Sequence, residues 1–246
     1  MSNKNSYWLV LPGFIVAVIS LLISILAGIG TRFDWWFFRT GLMTLAISAY
    51  VGIAGIIVSL IGLIGLLFVK VKKGVVYGVL GLVLSLLVAG GPWGMMKIAK
   101  TVPPIHDITT DTANPPQFVA IMPLRAKAVN SVDYDMAKTA PLQEKAYPDI
   151  KPLILNTMPD QTYNQALKTV EKLKWNIIAT NMNEGRIEAV DTTFWMGFKD
   201  DIVIRIVTND NGSKLDIRSE SRVGIGDFGK NARRIRKFFK EFKRAA

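Results

Sequence analysis

Charged side chains are nearly missing from the first 96 residues of this chain. Only seven lie there, against forty-two in residues 97–246. Because an ionisable group is costly in hydrocarbon, this distribution predicts a lipid-embedded first part and a water-soluble second part. It excludes a soluble one-domain enzyme and a collagen, and the absence of cysteine excludes a disulfide-stapled module and a zinc ribbon.

Three apolar runs occupy the charge-poor part, at residues 8–30, 42–69 and 75–96. Each is longer than the roughly 20 residues that a helix needs to cross a bilayer, so we predict a three-helix transmembrane domain over residues 1–96. Small residues recur four apart in each run, which favours packing of the spans against one another, with a contact surface for another subunit as the alternative. No ionisable residue lies mid-span, which argues against an ion pathway.

The orientation depends on the basic residues that flank these spans. Four lie on each side of the membrane, with Lys4, Lys70, Lys72 and Lys73 set against Arg32, Arg39, Lys97 and Lys100. The lysine turn is the denser group, so we assign it and the amino terminus to the cytoplasm. Residues 97–246 then lie in the periplasm of a bacterium, anchored in its inner membrane. Trp35 and Trp36, in the loop between the first two spans, are predicted to contact the membrane surface.

The water-soluble part begins with a proline-rich stretch. Ten of the eleven prolines fall between Pro92 and Pro159, which predicts an extended connector over residues 97–159 that docks on the soluble domain. A helix follows from an N-cap at Asp160 to about residue 174, and a second helix covers residues 231–244. Between them, strands are predicted at residues 175–180, 186–192, 201–208 and 214–223. Residues 160–246 are therefore predicted to form a periplasmic α+β domain, with an antiparallel sheet of about four or more strands and helices on one face.

Several motifs in this part resemble one family. They are residues 104–111 (PIHDITTD), 198–201 (FKDD) with Arg205, 216–224 (DIRSESRVG) and 227–235 (DFGKNARRI). In this order they resemble the uncharacterised bacterial family catalogued as domain of unknown function 1499, over about residues 103–240. The resemblance implies a shared fold, with hydrophobic spans ahead of the domain in some members. It implies no established activity, substrate or catalytic residue.

Arginines and carboxylates alternate along the predicted strands. Clustered guanidinium groups bind carboxylates or phosphates well, because each presents a planar fork of donors. The alternative is an internal ion-pair network, which the neighbouring carboxylates, Glu188 among them, are numerous enough to form. The candidate ligand-binding residues are Arg205, Arg218, Arg222, Asp200, Asp201, Asp227 and Asn231.

His106 is the only histidine and precedes Asp107. No cysteine or second histidine completes a closed zinc site, so we expect no metal and no cofactor. A hydrolase that uses His106 with Asp200 or Asp201 is the catalytic alternative.

The last predicted helix combines a phenylalanine stripe with basic residues. Residues 97–229 carry a net charge of −1 and residues 230–246 carry +7, so a folded nucleic-acid-binding face is not expected. Arg233, Arg236, Lys237 and Lys240 are predicted to contact the membrane surface and its anionic headgroups. Alternatively, the phenylalanines cover the sheet and the cations are solvated.

These observations favour a non-catalytic inner-membrane protein. Its periplasmic domain is expected to bind another membrane or periplasmic protein, or an anionic envelope ligand or headgroup, and the whole chain fits an accessory subunit of a membrane complex. The lipid bilayer is also a predicted partner. The envelope hydrolase stays open as the alternative.

Overall fold

The computed structural model describes residues 7–69 and 74–244. Within these residues the chain forms two compact units. The first contains the residues up to Ile98 together with Phe194–Gly197, and the second contains the remaining residues from Ala99 onward.

Three long helices make up most of the first unit. They are α1 (Tyr7–Arg32), α2 (Phe38–Phe68) and α3 (Val75–Ala99). By length and composition, each of these helices in the described part of the chain is able to cross a membrane, which confirms the three predicted spans and indicates a membrane protein. Lys4, Lys70, Lys72 and Lys73, on which the predicted orientation depends, lie outside the described residues.

The three helices approach closely where their residues are small. A Cβ atom at Gly81 of α3 would lie 2.9 Å from the backbone nitrogen of Phe14 in α1 and 2.8 Å from the hydroxyl of Ser59 in α2. Gly55 of α2 likewise faces Ser85 of α3. Larger side chains would push the backbones apart, so the small residues act as the packing surface between the spans.

The second unit is built on a six-stranded antiparallel sheet, which confirms the predicted fold class. Its strands are β1 (Asp107–Thr109), β2 (Leu153–Leu155), β3 (Asn176–Asn181), β4 (Arg186–Thr192), β5 (Lys199–Asn209) and β6 (Gly212–Ser221). They lie in the order β1-β6-β5-β4-β3, and β2 pairs with the other end of β6. The helices are α4 (Thr139–Ala146), α5 (Pro159–Lys172) and α6 (Lys230–Arg244), with a short 3-10 helix at Met122–Arg125.

Two of these strands lie in residues 97–159. β1 pairs with the end of β6, and β2 pairs with its beginning. Each is three residues long, too short to show the alternation that identifies a strand in a sequence.

The start of α5 also differs from the prediction. Met158 is the N-cap, Pro159 occupies the first helical position, where its missing N–H costs nothing, and Asp160 lies in the first turn.

The two faces of the sheet are covered differently. Alternate side chains such as Ile187, Ile204 and Ile217 pack with α5 and α6 into the main apolar core, where Phe238 and Phe242 are also buried. The opposite face is covered by residues 110–135, called here the covering segment. Its apolar contacts are few, and the buried members of that small cluster are Phe118, Ile121, Val190 and Val203.

Candidate functional site

Arg218 lies at the centre of the face under the covering segment. It is fully buried. Its Nε and Nη2 donate to the two carboxylate oxygens of Asp107 at 3.0 and 2.7 Å. Nη2 and Nη1 also donate to the backbone oxygens of Val132 (2.6 Å) and Pro116 (3.3 Å), and the guanidinium lies 4.9 Å from the ring centre of Phe118. Its hydrogen-bonding capacity is therefore directed within the chain.

Asp201 is shared by two arginines beside this pair. It accepts hydrogen bonds from Arg125 at 2.5 Å and from Arg222 at 2.7 Å. Arg125 also donates to Glu220 at 2.7 Å, and Arg222 donates to the backbone oxygen of Leu124 at 2.8 Å. Because Arg125 and Leu124 belong to the covering segment, these ion pairs hold that segment on the sheet.

Glu188 of β4 holds the same segment through its backbone. Its carboxylate accepts hydrogen bonds from the N–H groups of Val119, Ala120 and Ile121 at 2.9 to 3.1 Å. The side chain of Arg186 lies 3.1 Å from it. A buried carboxylate thus satisfies three successive donors just before the 3-10 helix.

Arg205 completes this ion-pair network near its edge. It donates to Asp216 at 2.7 Å, to Asp111 at 3.4 Å and to the backbone oxygen of Asn114 at 2.9 Å. Asp111 and Asp216 also lie 2.7 and 3.4 Å from the ammonium of Lys214. The Arg205 guanidinium is therefore neutralised by carboxylates of the chain itself.

The other predicted site residues lie on the opposite face, next to α6. Asp200 pairs with Arg234 of α6 at 2.5 Å, and Arg234 also pairs with Asp191 and donates to Asn231. Asp227 accepts hydrogen bonds from the backbone N–H groups of Gly229 (2.7 Å) and Asn231 (2.6 Å), which caps the start of α6. These residues position the helix on the sheet.

The predicted ligand-binding set is thus divided between two faces, because Asp200 and Asp201 are successive residues of one strand. Arg205, Arg218, Arg222 and Asp201 lie together, whereas Asp200, Asp227 and Asn231 lie on the α6 side. Their contacts match the alternative given above, an internal ion-pair network in place of a ligand site. Sequence reasoning missed Arg125, which lies in a stretch without periodicity, and Arg234, which the motif at 227–235 already contained.

His106 lies beside a cleft of about 370 Å³. Its Nδ1 is 3.2 Å from the backbone oxygen of Ile225, and Asp133, Asp135 and Lys138 line the same cleft. Asp200 and Asp201, the predicted partners of His106, both pair with arginines. In the described ranges, no three or more histidines, cysteines and carboxylates are grouped so that they could hold a metal ion.

The outer side of α6 is an exposed basic surface. Ile235, Phe238 and Phe242 are buried in the core. Seven basic residues on the helix are exposed and define its basic face, namely Lys230, Arg233, Arg236, Lys237, Lys240, Lys243 and Arg244. Arg236 pairs with Asp149, and Arg244 pairs with Glu241. No ion pair is found within residues 7–69 and 74–244 for the other five.

The predicted membrane-surface tryptophans differ in their surroundings. Trp35 is exposed in the turn after α1. Trp36 folds against Gly30, and its indole N–H donates to the Thr31 hydroxyl at 3.2 Å. Trp35 is therefore the one of the two whose ring is available for contact.

Glu220 is the least satisfied charged group of the network. Burial, and next to it the charge of Asp107, raise the pKa of Glu220 to about 8. Burial also raises the pKa of Asp107, although Arg218 opposes it. Oε2 of Glu220 has no hydrogen-bond partner among the residues that the structure describes.

This raised pKa predicts how stability changes with pH. The carboxyl binds its proton more tightly in the folded state, so the free energy of unfolding falls as pH rises from its ordinary pKa of 4.5 to about 8. Thermal unfolding of the chain in detergent should give a lower Tm at about pH 9 than at about pH 6. Glu220→Gln cannot ionise and should reduce this fall. The same substitution at exposed Glu171 of α5 should retain it, and an equal fall in both variants would contradict the prediction.

Three apolar helices and a six-stranded domain with one face held by buried ion pairs define a membrane-anchored α+β protein. The family described as protein of unknown function DUF1499 matches residues 107–242, more than half of the chain. The chain belongs to this family, which confirms the resemblance. The match runs from the first residue of β1 into the last turn of α6. The comparison with curated proteins found no match.

Proposed function

We propose that this is a non-catalytic binding protein of the bacterial inner membrane, which holds an anionic, phosphate-bearing envelope ligand on the basic face of α6. The single observation that carries the proposal is the row of exposed cations, most of them without an ion pair in the described part of the chain. The ligand is a lipid headgroup or a soluble phosphate, which present the same chemistry to these side chains.

The packing of α6 supports this choice of surface. Its apolar stripe is committed to the core, and Arg234 is committed to Asp191 and Asp200. The remaining cations are thereby directed outward from a well-anchored helix. Each basic residue near an anionic membrane surface contributes about 1 kcal/mol of attraction. Several of them on one face therefore suffice for binding without a closed pocket.

The strand arginines support the same conclusion by their contacts. Arg205, Arg218 and Arg222 are engaged by carboxylates of the chain and by the covering segment. A ligand would have to displace these bonds and leave a buried carboxylate without its cationic partner, which is costly. Binding on α6 requires no such rearrangement.

The non-catalytic part of the proposal rests on Asp200 and Asp201, the predicted partners of His106. Asp200 and Asp201 lie on opposite faces of the sheet, and each accepts hydrogen bonds from arginine. A carboxylate can act as a general base only if it is free and lies within hydrogen-bond reach of the proton that it removes. A hydrolase that uses these residues would first have to break an ion pair.

Two lysines of the basic face allow a direct test. The full chain is placed in nanodiscs of zwitterionic lipid, with or without anionic lipid, and hydrogen exchange of α6 is measured. A parallel titration adds inorganic polyphosphate to the zwitterionic discs. Reversing both charges, in Lys237→Glu with Lys240→Glu, should weaken binding by more than about tenfold, since each reversal removes an attraction of about 1 kcal/mol and adds a repulsion.

The matched control reverses two exposed lysines elsewhere, Lys145 of α4 and Lys168 of α5. It has the same net charge as the test variant and should retain binding. Protection by anionic lipid alone identifies a headgroup as the ligand, and protection by polyphosphate alone identifies a soluble phosphate. Equal losses in the two double variants would show that only net charge matters and would overturn the site.

The orientation is part of the proposal and has its own test. We place the amino terminus in the cytoplasm and the six-stranded domain in the periplasm, from the flanking lysines of the sequence. Because the chain has no cysteine, Asn211→Cys in the exposed β5–β6 turn provides a single labelling site. A membrane-impermeant thiol reagent should label it in intact spheroplasts. Labelling only after lysis would reverse the orientation.

A further inference from the structure

The loop between β4 and β5 carries two aromatic side chains, of which Trp195 also packs against Gly28 of α1 in the first unit. Phe194 is 93% exposed and Trp195 is 41% exposed. We call these two residues the aromatic tip. An exposed aromatic ring forgoes about 1.5–3 kcal/mol of transfer free energy that burial would provide. Two of them side by side at the end of a hairpin indicate a contact surface.

The loop is closed by hydrogen bonds at its base. The backbone N–H of Thr193 donates to the backbone oxygen of Phe198 at 2.8 Å, and the N–H of Phe198 donates to the Thr193 hydroxyl at 2.8 Å. Gly197 has a φ of +68°, the left-handed conformation that a glycine adopts without strain, and this returns the chain to β5. The aromatic tip is therefore displayed by a defined turn.

We propose that the aromatic tip inserts into the headgroup and upper acyl region of the bilayer that the three apolar helices span. Tryptophan is enriched at this depth because its ring is apolar with a polar N–H edge. The Phe194 ring contributes apolar area that insertion would remove from water. The loop and its flanks also carry suitable charge. Lys199 is exposed next to the tip, and residues 192–199 contain no carboxylate.

The connection between α3 and the sheet is short, and β1 begins at the end of the sheet that carries the β4–β5 loop, where Asp107 and Asp201 both pair with Glu220. Only residues 100–106 separate the end of α3 at Ala99 from β1 at Asp107. A chain of that length spans at most about 25 Å when fully extended. Insertion of the tip uses apolar burial and is independent of the basic face of α6 and of which side of the membrane the domain occupies.

The cysteine-free sequence allows the depth of the tip to be measured directly. Thr192→Cys, an exposed position beside the tip, is labelled with a polarity-sensitive fluorophore in the otherwise unaltered full chain. The protein is placed in zwitterionic nanodiscs with or without lipids that carry a nitroxide quencher high on the acyl chain. We expect strong loss of emission in the quencher discs. Replacing Phe194 and Trp195 by serine should restore the emission.

A label at Asn211→Cys, in the exposed turn of the next hairpin, serves as the matched control and should remain unquenched. In a second measurement, a nitroxide at Phe194→Cys should be more accessible to oxygen than to a water-soluble nickel complex, with the reverse order at position 211. A label at 192 that is no better quenched than the label at 211 would overturn the proposal. The exposed tip would then be assigned to contact with a protein partner.

Discussion

Replacing Arg218 by methionine is expected to lower the free energy of unfolding of the six-stranded domain by about 3–5 kcal/mol, the usual cost of breaking a buried ion pair from one side. The methionine fills much of the volume but leaves Asp107 buried with its main partner removed. The backbone oxygens of Pro116 and Val132 lose their donors at the same time. Urea unfolding of the detergent-solubilised chain, followed by hydrogen exchange in β5 and β6, measures the loss.

Two further variants make this result specific. Arg236→Met removes a pair with Asp149 in which both side chains are exposed, so it should cost less than about 1 kcal/mol. Combining Arg218→Met with Asp107→Leu should recover part of the loss, because no uncompensated charge is then left inside. A cost for Arg218→Met no larger than that for Arg236→Met would show that the network does not hold this face.

The second large effect is expected at Glu188. In Glu188→Ala, the N–H groups of Val119, Ala120 and Ile121 lose their acceptor together. An unsatisfied buried donor costs about 1–3 kcal/mol, and the N–H of Ile121 is the buried one of the three, so a loss of about this size is expected unless the segment lifts into water. Either outcome weakens the covering segment. Hydrogen exchange at residues 119–121 should accelerate sharply, and proteolysis within residues 110–135 should follow.

Glu184 is the matched control for this experiment. It lies in the exposed turn between β3 and β4 and also pairs with Arg186. Glu184→Ala should change the free energy of unfolding by no more than about 0.5 kcal/mol, as is usual for surface substitutions. Glu188→Gln keeps one oxygen acceptor and should fall between the two. Unchanged exchange at residues 119–121 in Glu188→Ala would refute the role assigned to this carboxylate.

These two predictions concern a face of the sheet that is held mainly by charge. Its apolar cluster is small, and the covering segment is fixed by Glu188, Arg205 and Arg218, which come from three strands. Such an arrangement explains why an arginine-rich face need not be a ligand site. The cations of the basic face of α6, by contrast, are exposed side by side on one helix.

The sequence by itself determined the features that depend on local pattern. Three runs of apolar residues were sufficient to locate the membrane helices, because hydrocarbon thickness sets a length that few other structures need. Alternation in residues 214–223 identified a strand, and the spacing of Ile235, Phe238 and Phe242 identified the buried stripe of the last helix. Each signal lies within one element and repeats with the period of that element.

Only the tertiary structure decided what covers the second face of the sheet. Arg218 meets Asp107, Pro116 and Val132, residues that are more than eighty positions away in the chain. The covering segment has no periodicity, and β1 and β2 are too short to be recognised as strands by pattern. A guanidinium binds a carboxylate of its own chain through the same geometry that it would use for a ligand, so the local sequence is the same in both cases. The long-range contacts therefore decided between an internal ion-pair network and an open arginine face.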